Sequence, residues 1–282
     1  MPNEGLVKSL RSRLPDEACV QELDDALAAL AGDNRRRAQH FAVTLRELFG
    51  HVLSSRASND VVEKCAWYAV EQGARGPTRR QRAMYLSRGG LSDAFIRETL
   101  KLDPDEFHAD LRKAFDELSE NTHIRPGAPP LTGDALDEFA DGAIASFDEV
   151  FDVIDEVRAS IKEAIEPNLQ NEAASVFIAQ TIDDLDILAG RYTTEGVMFD
   201  EASVVEIGAE YIHYRITGTV DVELHYGGKS DPAQIDENFP FTCTVVARVD
   251  EPFKFIDKMT VMEVDTSSWF GDDDEAAEAA AK

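Results

Sequence analysis

Residues 218–227, GTVDVELHYG, alternate without a break: Thr219, Asp221, Glu223 and His225 fall on one side, and Val220, Val222, Leu224 and Tyr226 on the other. A period of two belongs to a strand with one wet face. The same pattern over 191–264 predicts strands at 203–207, 210–217, 218–227, 239–249 and 255–264. Gly227-Gly228 and the polar residues up to 237 read as a connecting loop. The result is a small antiparallel sheet, packed on a helical segment at 170–189.

Everything upstream has the helical period instead. Phe139, Ile144, Phe147, Val150, Phe151, Ile154, Val157 and Ile161 recur at threes and fours, predicting a long helix from 134 to 165 that Pro167 ends. With 170–189 it forms a helical hairpin. Residues 122–133, THIRPGAPPLTG, hold three prolines and two glycines and read as a linker. Before the linker, helices are predicted over 3–14, 16–31, 33–56, from Ser58-Asn59-Asp60 into VVEKCAWYAV, at RRQRAMYLSRGG, and over 91–101 and 104–121. Their caps are Asp16, Asp33 or Asn34, Thr78 and Asp103, the last followed by Pro104. The fold class is therefore α+β: a helical N-terminal region and a helical hairpin, then a small antiparallel β-sheet domain. The predicted domains are 1–125, a linker and long helix at 126–166, an α+β domain at 167–270 and an acidic disordered tail at 271–282.

The net charge of −27 is unevenly placed. Residues 1–130 hold 19 Lys+Arg and 20 Asp+Glu; residues 131–282 hold 9 and 35. An acidic surface repels phosphate backbones, so a polyanion belongs on the N-terminal half. No run of about 18 apolar residues exists, and the start, MPNEGLVKSLRSRL, lacks a signal peptide, so no membrane partner and a cytoplasmic location are expected. Cys19, Cys65 and Cys243 stand alone, outside any zinc pattern, and read as buried thiols. No metal and no cofactor are expected.

Chemistry concentrates in 33–56, DNRRRAQHFAVTLRELFGHVLSSR. Phe41, Leu45, Leu48, Phe49 and Val52 make its core face, while His40, Glu47 and His51 align within roughly 40° on the other side at about 100° per residue. Arg46-Glu47-Leu48-Phe49-Gly50-His51 pairs an arginine, which can hold a phosphate, with a histidine, which can move a proton near neutral pH. Glu47 can orient His51 across one turn. Arg46 and His51 stand about 140° apart on an ideal helix, so they converge only if Gly50 distorts it or a second subunit completes the site. Arg35 and His40 repeat the spacing, which shows how readily a basic helix produces it. The ordinary reading of Arg46, Glu47 and His51 is a solvated face.

Arg75, Arg79, Arg80, Arg82 and Arg88 form the most basic segment and suit phosphate contact; the plain alternative is pairing with the acidic half. On the sheet, Asp221, Glu223, His225 and His213 offer metal-ligand types. A restriction-type metal nuclease would want a lysine where His225 stands, and a wet face explains the alternation. His108 and His123 are isolated and read as surface groups.

An Arg-x(4–6)-His helix in an all-helical region resembles the motif of the HEPN ribonucleases. The order RELFGHVLSSRASNDVVEKCAWY, then GPTRRQRAMYLSRGG, then TGTVDVELHYGGKSD and FPFTCTV resembles the predicted pPIWI-associating nuclease group of bacterial defence-related proteins. The resemblance covers about 40–90 and 180–250. It implies a HEPN-like helical domain, a metal-independent ribonuclease acting on RNA in a bacterial antiviral conflict system, defence-system partners and a homodimer. Arg46 and His51 carry over as the catalytic pair, with Glu47 the polar residue that follows the arginine; Arg75, Arg79, Arg80, Arg82 and Arg88 would guide the strand. The alternative is a non-enzymatic acidic interaction or regulatory protein that dimerises and docks on a basic partner.

Overall fold

The structure is a computed structural model that describes residues 2–124, 128–177, 185, 187–189, 191–228 and 231–270. The chain divides into two compact units, Met1–Ile161 and Lys162–Lys282, with the division inside one long helix. The tail predicted at 271–282 lies outside the described residues.

The N-terminal unit is helical. Its elements are α1 (Glu4–Ser12), α2 (Glu17–Ala31), α3 (Arg37–Arg56), α4 (Asn59–Val62), α5 (Arg79–Arg88), α6 (Asp93–Glu98), α7 (Pro104–Thr122) and the first part of α8 (Asp134–Phe177). Caps set several boundaries. The Asp16 side chain accepts from the Cys19 N–H, Thr78 and Gln81 form a reciprocal capping box, and Asp103 precedes Pro104 in the first turn of α7. The helix predicted from 33 begins four residues later: Asn34 accepts from the Arg36 N–H in a turn instead of capping α3. After Val62 the segment predicted as a helix becomes turns and irregular backbone.

Phe49 is the hub of this unit's core. Its ring meets Phe115 of α7 at 5.6 Å and Phe147 and Phe151 of α8 at 4.9 and 5.9 Å, all edge-on. The guanidinium of Arg56 lies 5.2 Å from the Phe151 ring centre. The loop after α1 is clamped to the acidic face of α8, where Arg13 meets Asp148 and Asp152 and, at 2.9 Å, Asp155. Part of the acidity of α8 is thus matched locally.

α8 overturns the expected stop at Pro167. One helix runs through it, where a hairpin turn was predicted before a second helix at 170–189. An interior proline removes one hydrogen bond and costs about 3 kcal/mol. Ile161, Ile165 and Leu169 around it are all fully buried, and that burial offsets the loss. Residues 178–184 of the expected second helix lie outside the described residues.

The C-terminal unit holds a five-stranded antiparallel sheet: β1 (Arg191–Ile207), β2 (Tyr211–Gly228), β3 (Asp231–Arg248), β4 (Glu251–Phe255) and β5 (Val261–Val264). The order is β1-β2-β3-β4, and β5 also pairs with β3. Two predicted boundaries disappear. Residues 210–217 and 218–227 are one strand, with Ile212, Tyr214, Ile216, Val220, Val222 and Leu224 all on the buried face. The loop predicted up to 237 is instead the start of β3, paired with β2 from Asp231 opposite Gly228. No helix among the described residues is long and apolar enough to cross a membrane.

Candidate functional site

α3 presents its polar residues on separate faces, and its neighbours decide what each face can do. Its core stripe fixes the rotation: Phe41, Leu45, Leu48, Phe49, Val52 and Leu53 are buried. Arg36, Gln39, Val43 and Arg46 then follow one another down a single adjoining stripe.

That stripe lines a groove of about 420 Å³ in the N-terminal unit. Its other wall is the end of α7, where Thr122, His123 and Ile124 complete the lining. An adjoining groove of about 270 Å³ shares Arg36, Gln39 and Ile124 and adds Arg35 and the Pro129–Leu131 segment. Three arginines, a histidine and an amide therefore border two adjoining grooves, and no carboxylate among the described residues lines either of them. Such a surface attracts anions. It also matches the needs of phosphoryl chemistry, which wants fixed cations around the phosphorus and one group able to take and return a proton.

Arg46 is thus in the groove, and its two motif companions are elsewhere. Glu47 is 70% exposed and meets the edge of Arg79 at 4.0 Å. His51 is exposed and faces the start of α2, where Asp16 and Cys19 lie. The Asp16 carboxyl titrates below its ordinary value, chiefly because the Cys19 N–H and thiol bond to it, with His51 adding to the effect. Burial pushes the Cys19 thiol up to about 11, and Asp16 adds to this. α3 is unbroken across Gly50, so nothing swings His51 round to Arg46 within one chain. His40 is exposed too, and its carbonyl accepts from Thr44.

The arginines of 75–88 are mostly occupied, and their partners are in the N-terminal unit itself. Arg80 meets Asp116 at 3.2 Å. Arg82 donates to the Ala57 carbonyl and to Asn59, tying down the end of α3. Arg88 is 4% exposed, pairs with Asp93 and lies over Trp67 at 5.2 Å. Burial pulls its guanidinium down to about 10, and its place in the core removes it from any external phosphate. Arg75, Arg79 and Arg80 remain on the surface.

On the sheet, His225 hydrogen-bonds Thr193 at 3.0 Å and Gln234 at 3.4 Å, and Glu223 lies 3.9 Å away. These are cross-strand contacts of a wet face. His213, Asp221, Glu223 and His225 do not gather three ligand atoms.

His123 is the residue that sequence alone sets aside as an isolated surface group. Periodicity shows where α7 stops but not what its end packs against. Its only local signal is its position just before the proline-rich stretch.

Residues 11–147 match one family model and residues 154–270 match another, and both models are described as a predicted pPIWI-associating nuclease. Neither the curated proteins nor the solved structures compared with the chain give a match. The two matched regions meet within α8, close to the division between the two compact units. Matched in this way over both of its halves, the chain belongs to the predicted pPIWI-associating nuclease family.

Proposed function

We propose that this nuclease is a HEPN-like, metal-independent ribonuclease, and that the cationic groove between α3 and the end of α7 holds the scissile phosphate. One observation carries the reading: Arg46, the arginine of the motif, shares its groove with Arg36 and His123 instead of facing open solvent. RNA brings its own nucleophile. His123 takes the proton of the 2′-hydroxyl, the O2′–P bond forms, and the P–O5′ bond breaks as a water molecule protonates the leaving oxygen; His123 then gives its proton back to solvent. The products are a 2′,3′-cyclic phosphate and a 5′-hydroxyl. Arg46 and Arg36 offset the charge that builds on the phosphoryl oxygens. Arg35, next along the groove, steers the strand.

His51 enters this chemistry only if a second copy brings it over Arg46, which is the dimer arrangement that the motif implies. A bacterial antiviral setting, a cytoplasmic location and defence-system partners go with this reading, and the words pPIWI-associating in the family description suggest a pPIWI protein as one such partner.

The test is cleavage of single-stranded RNA in EDTA by the wild type and by Arg46→Ala, His123→Ala and His51→Ala. Activity should fall at least about a hundredfold in the first two variants and survive in the third. Loss in Arg46→Ala and His51→Ala, with His123→Ala active, would favour the dimer-completed site. Activity that needs a divalent ion, or none in the wild type, would sink the reading.

One observation favours the alternative of an acidic docking protein. In the C-terminal unit, Glu163, Glu166, Asp200 and Glu201 line an open groove of about 370 Å³. A stoichiometric basic partner bound there, with no cleavage of RNA, would support it.

A further inference from the structure

Where α2 begins beside α3, three side chains of metal-ligating type come together from two helices. One ligand atom each of Asp16, Cys19 and His51 lies within 4.8 Å of the other two, and no other such trio occurs among the described residues. Local structure explains the meeting. Asp16 caps α2, with its Oδ1 accepting from the Cys19 N–H at 2.8 Å, so its Oδ2 takes no part in that bond. Cys19 lies three residues on, in the same first turn and 1% exposed. His51 comes from the next helix and is exposed on the adjoining face. The sequence hides the trio because Asp16 and Cys19 are far from His51 along the chain and form no cysteine pair.

We propose that Asp16, Cys19 and His51 bind a zinc-class divalent cation. A thiolate, an imidazole and a carboxylate are the donor types that zinc takes, and a magnesium or calcium site would lack the sulfur and nitrogen. Tetrahedral coordination at ordinary zinc–ligand lengths holds neighbouring donor atoms about 3.5 Å apart. The trio must therefore contract by no more than about 1.3 Å. Rotation of two exposed side chains, Asp16 and His51, supplies that movement without shifting either helix. On binding, the S–H proton of Cys19 leaves to solvent and a metal–thiolate bond replaces it. Burial holds Cys19 protonated in the metal-free protein, and the charge of the bound cation, helped by the helix N-terminus, is what favours the thiolate.

Three protein ligands leave a fourth position, and it opens to solvent beside the two exposed residues. The metal would pin the start of α2 to the last third of α3. It would also occupy His51 and keep it from proton transfer, so this site stands apart from the groove of Arg46 and His123.

The test is titration of the full chain, freed of metal, with Co²⁺. The wild type should develop thiolate-to-cobalt charge-transfer absorption and tetrahedral d–d bands, and Zn²⁺ should bleach both. Cys19→Ser should remove the charge-transfer band. His51→Ala, a surface change that leaves the core intact, and Asp16→Asn, which keeps a capping residue, should each weaken binding at least about tenfold. The wild type but not His51→Ala should melt higher with Zn²⁺ present. His40→Ala should change nothing. Absent cobalt bands in the wild type, bands that persist in Cys19→Ser, or affinity indifferent to His51→Ala would overturn the assignment.

Discussion

Arg46 and His123 line the same groove, although one lies in the middle of α3 and the other caps the far end of α7. Arg46 and His51, five positions apart, do not meet. This separates two kinds of evidence that the motif had joined. If His123 moves the proton, His123→Ala should lower the rate of RNA cleavage by about 10²–10⁴-fold. Arg46→Ala should lower it by about 10²–10³-fold. His51→Ala should leave it within a factor of about three. Single-turnover rates in EDTA check all three, and circular dichroism of each variant guards against unfolding.

Gly50 supplies an independent check on the same point. A Cβ built there would lie 2.8 Å from the Arg79 guanidinium, the movable tip of a side chain whose contact with Glu47 is 4.0 Å long and exposed. Such a pair contributes about 0–1 kcal/mol, whereas alanine gains about 1 kcal/mol over glycine inside a helix. Gly50→Ala should therefore leave stability unchanged or raise it by up to about 1 kcal/mol, read from urea midpoints. It should also leave cleavage intact. Lost activity in a stable Gly50→Ala would mean that a bend at this glycine is needed to join Arg46 to His51.

How far these features can be read from sequence depends on their range. Caps are local, so Asp16, Thr78 and Asp103 are visible as caps before any fold is known. Pro167 misleads because its local penalty is outweighed by burial that only the fold creates. Residues 231–238 mislead for a different reason. All eight are exposed, so neither face of the strand is buried, and Ile235, its one large apolar residue, sets up no alternation. Only pairing with β2 makes them a strand. The site divides the same way: Arg46 announces itself through a spacing, and His123 becomes a candidate only when α7 ends against α3.

Gly218 is where the long β2 strand depends on the absence of a side chain. A Cβ there would fall 2.1 Å from the Met198 carbonyl oxygen and 2.9 Å from the Phe241 ring. Gly218 pairs with Phe199 on one side and Phe241 on the other, so the obstacle is backbone of β1 as well as a buried ring. Gly218→Ala should destabilise the sheet by about 1–3 kcal/mol, toward the upper end because a strand must move. Trp269 stacks on Tyr226 in the C-terminal unit, and the chain has 2 tryptophans. In a Trp67→Phe background, fluorescence unfolding then reports on the unit that holds Gly218. An unchanged midpoint would show that β1 does not pack against this position as described.

His108 makes the stability of the N-terminal unit depend on pH. It lies 3.3 Å from Asp93, a contact that by itself would favour the imidazolium. Arg88 already neutralises that carboxylate, and the partial burial of His108 followed by the nearby Arg88 charge holds its pKa below the ordinary histidine value. The folded state therefore binds this proton less well than the unfolded state does. Stability from this group is fully present above the unfolded pKa, about 6.5, and is lost as pH falls through that value toward the lower folded one. His108→Gln keeps a polar side chain without the titration, so its stability should change less between pH 7 and pH 5 than that of the wild type. Urea unfolding followed by Trp67, which lies under Arg88, gives the comparison. Parallel pH profiles would show that burial and Asp93 cancel at His108, and a wild type that gains stability relative to His108→Gln as pH falls would show that Asp93 governs it.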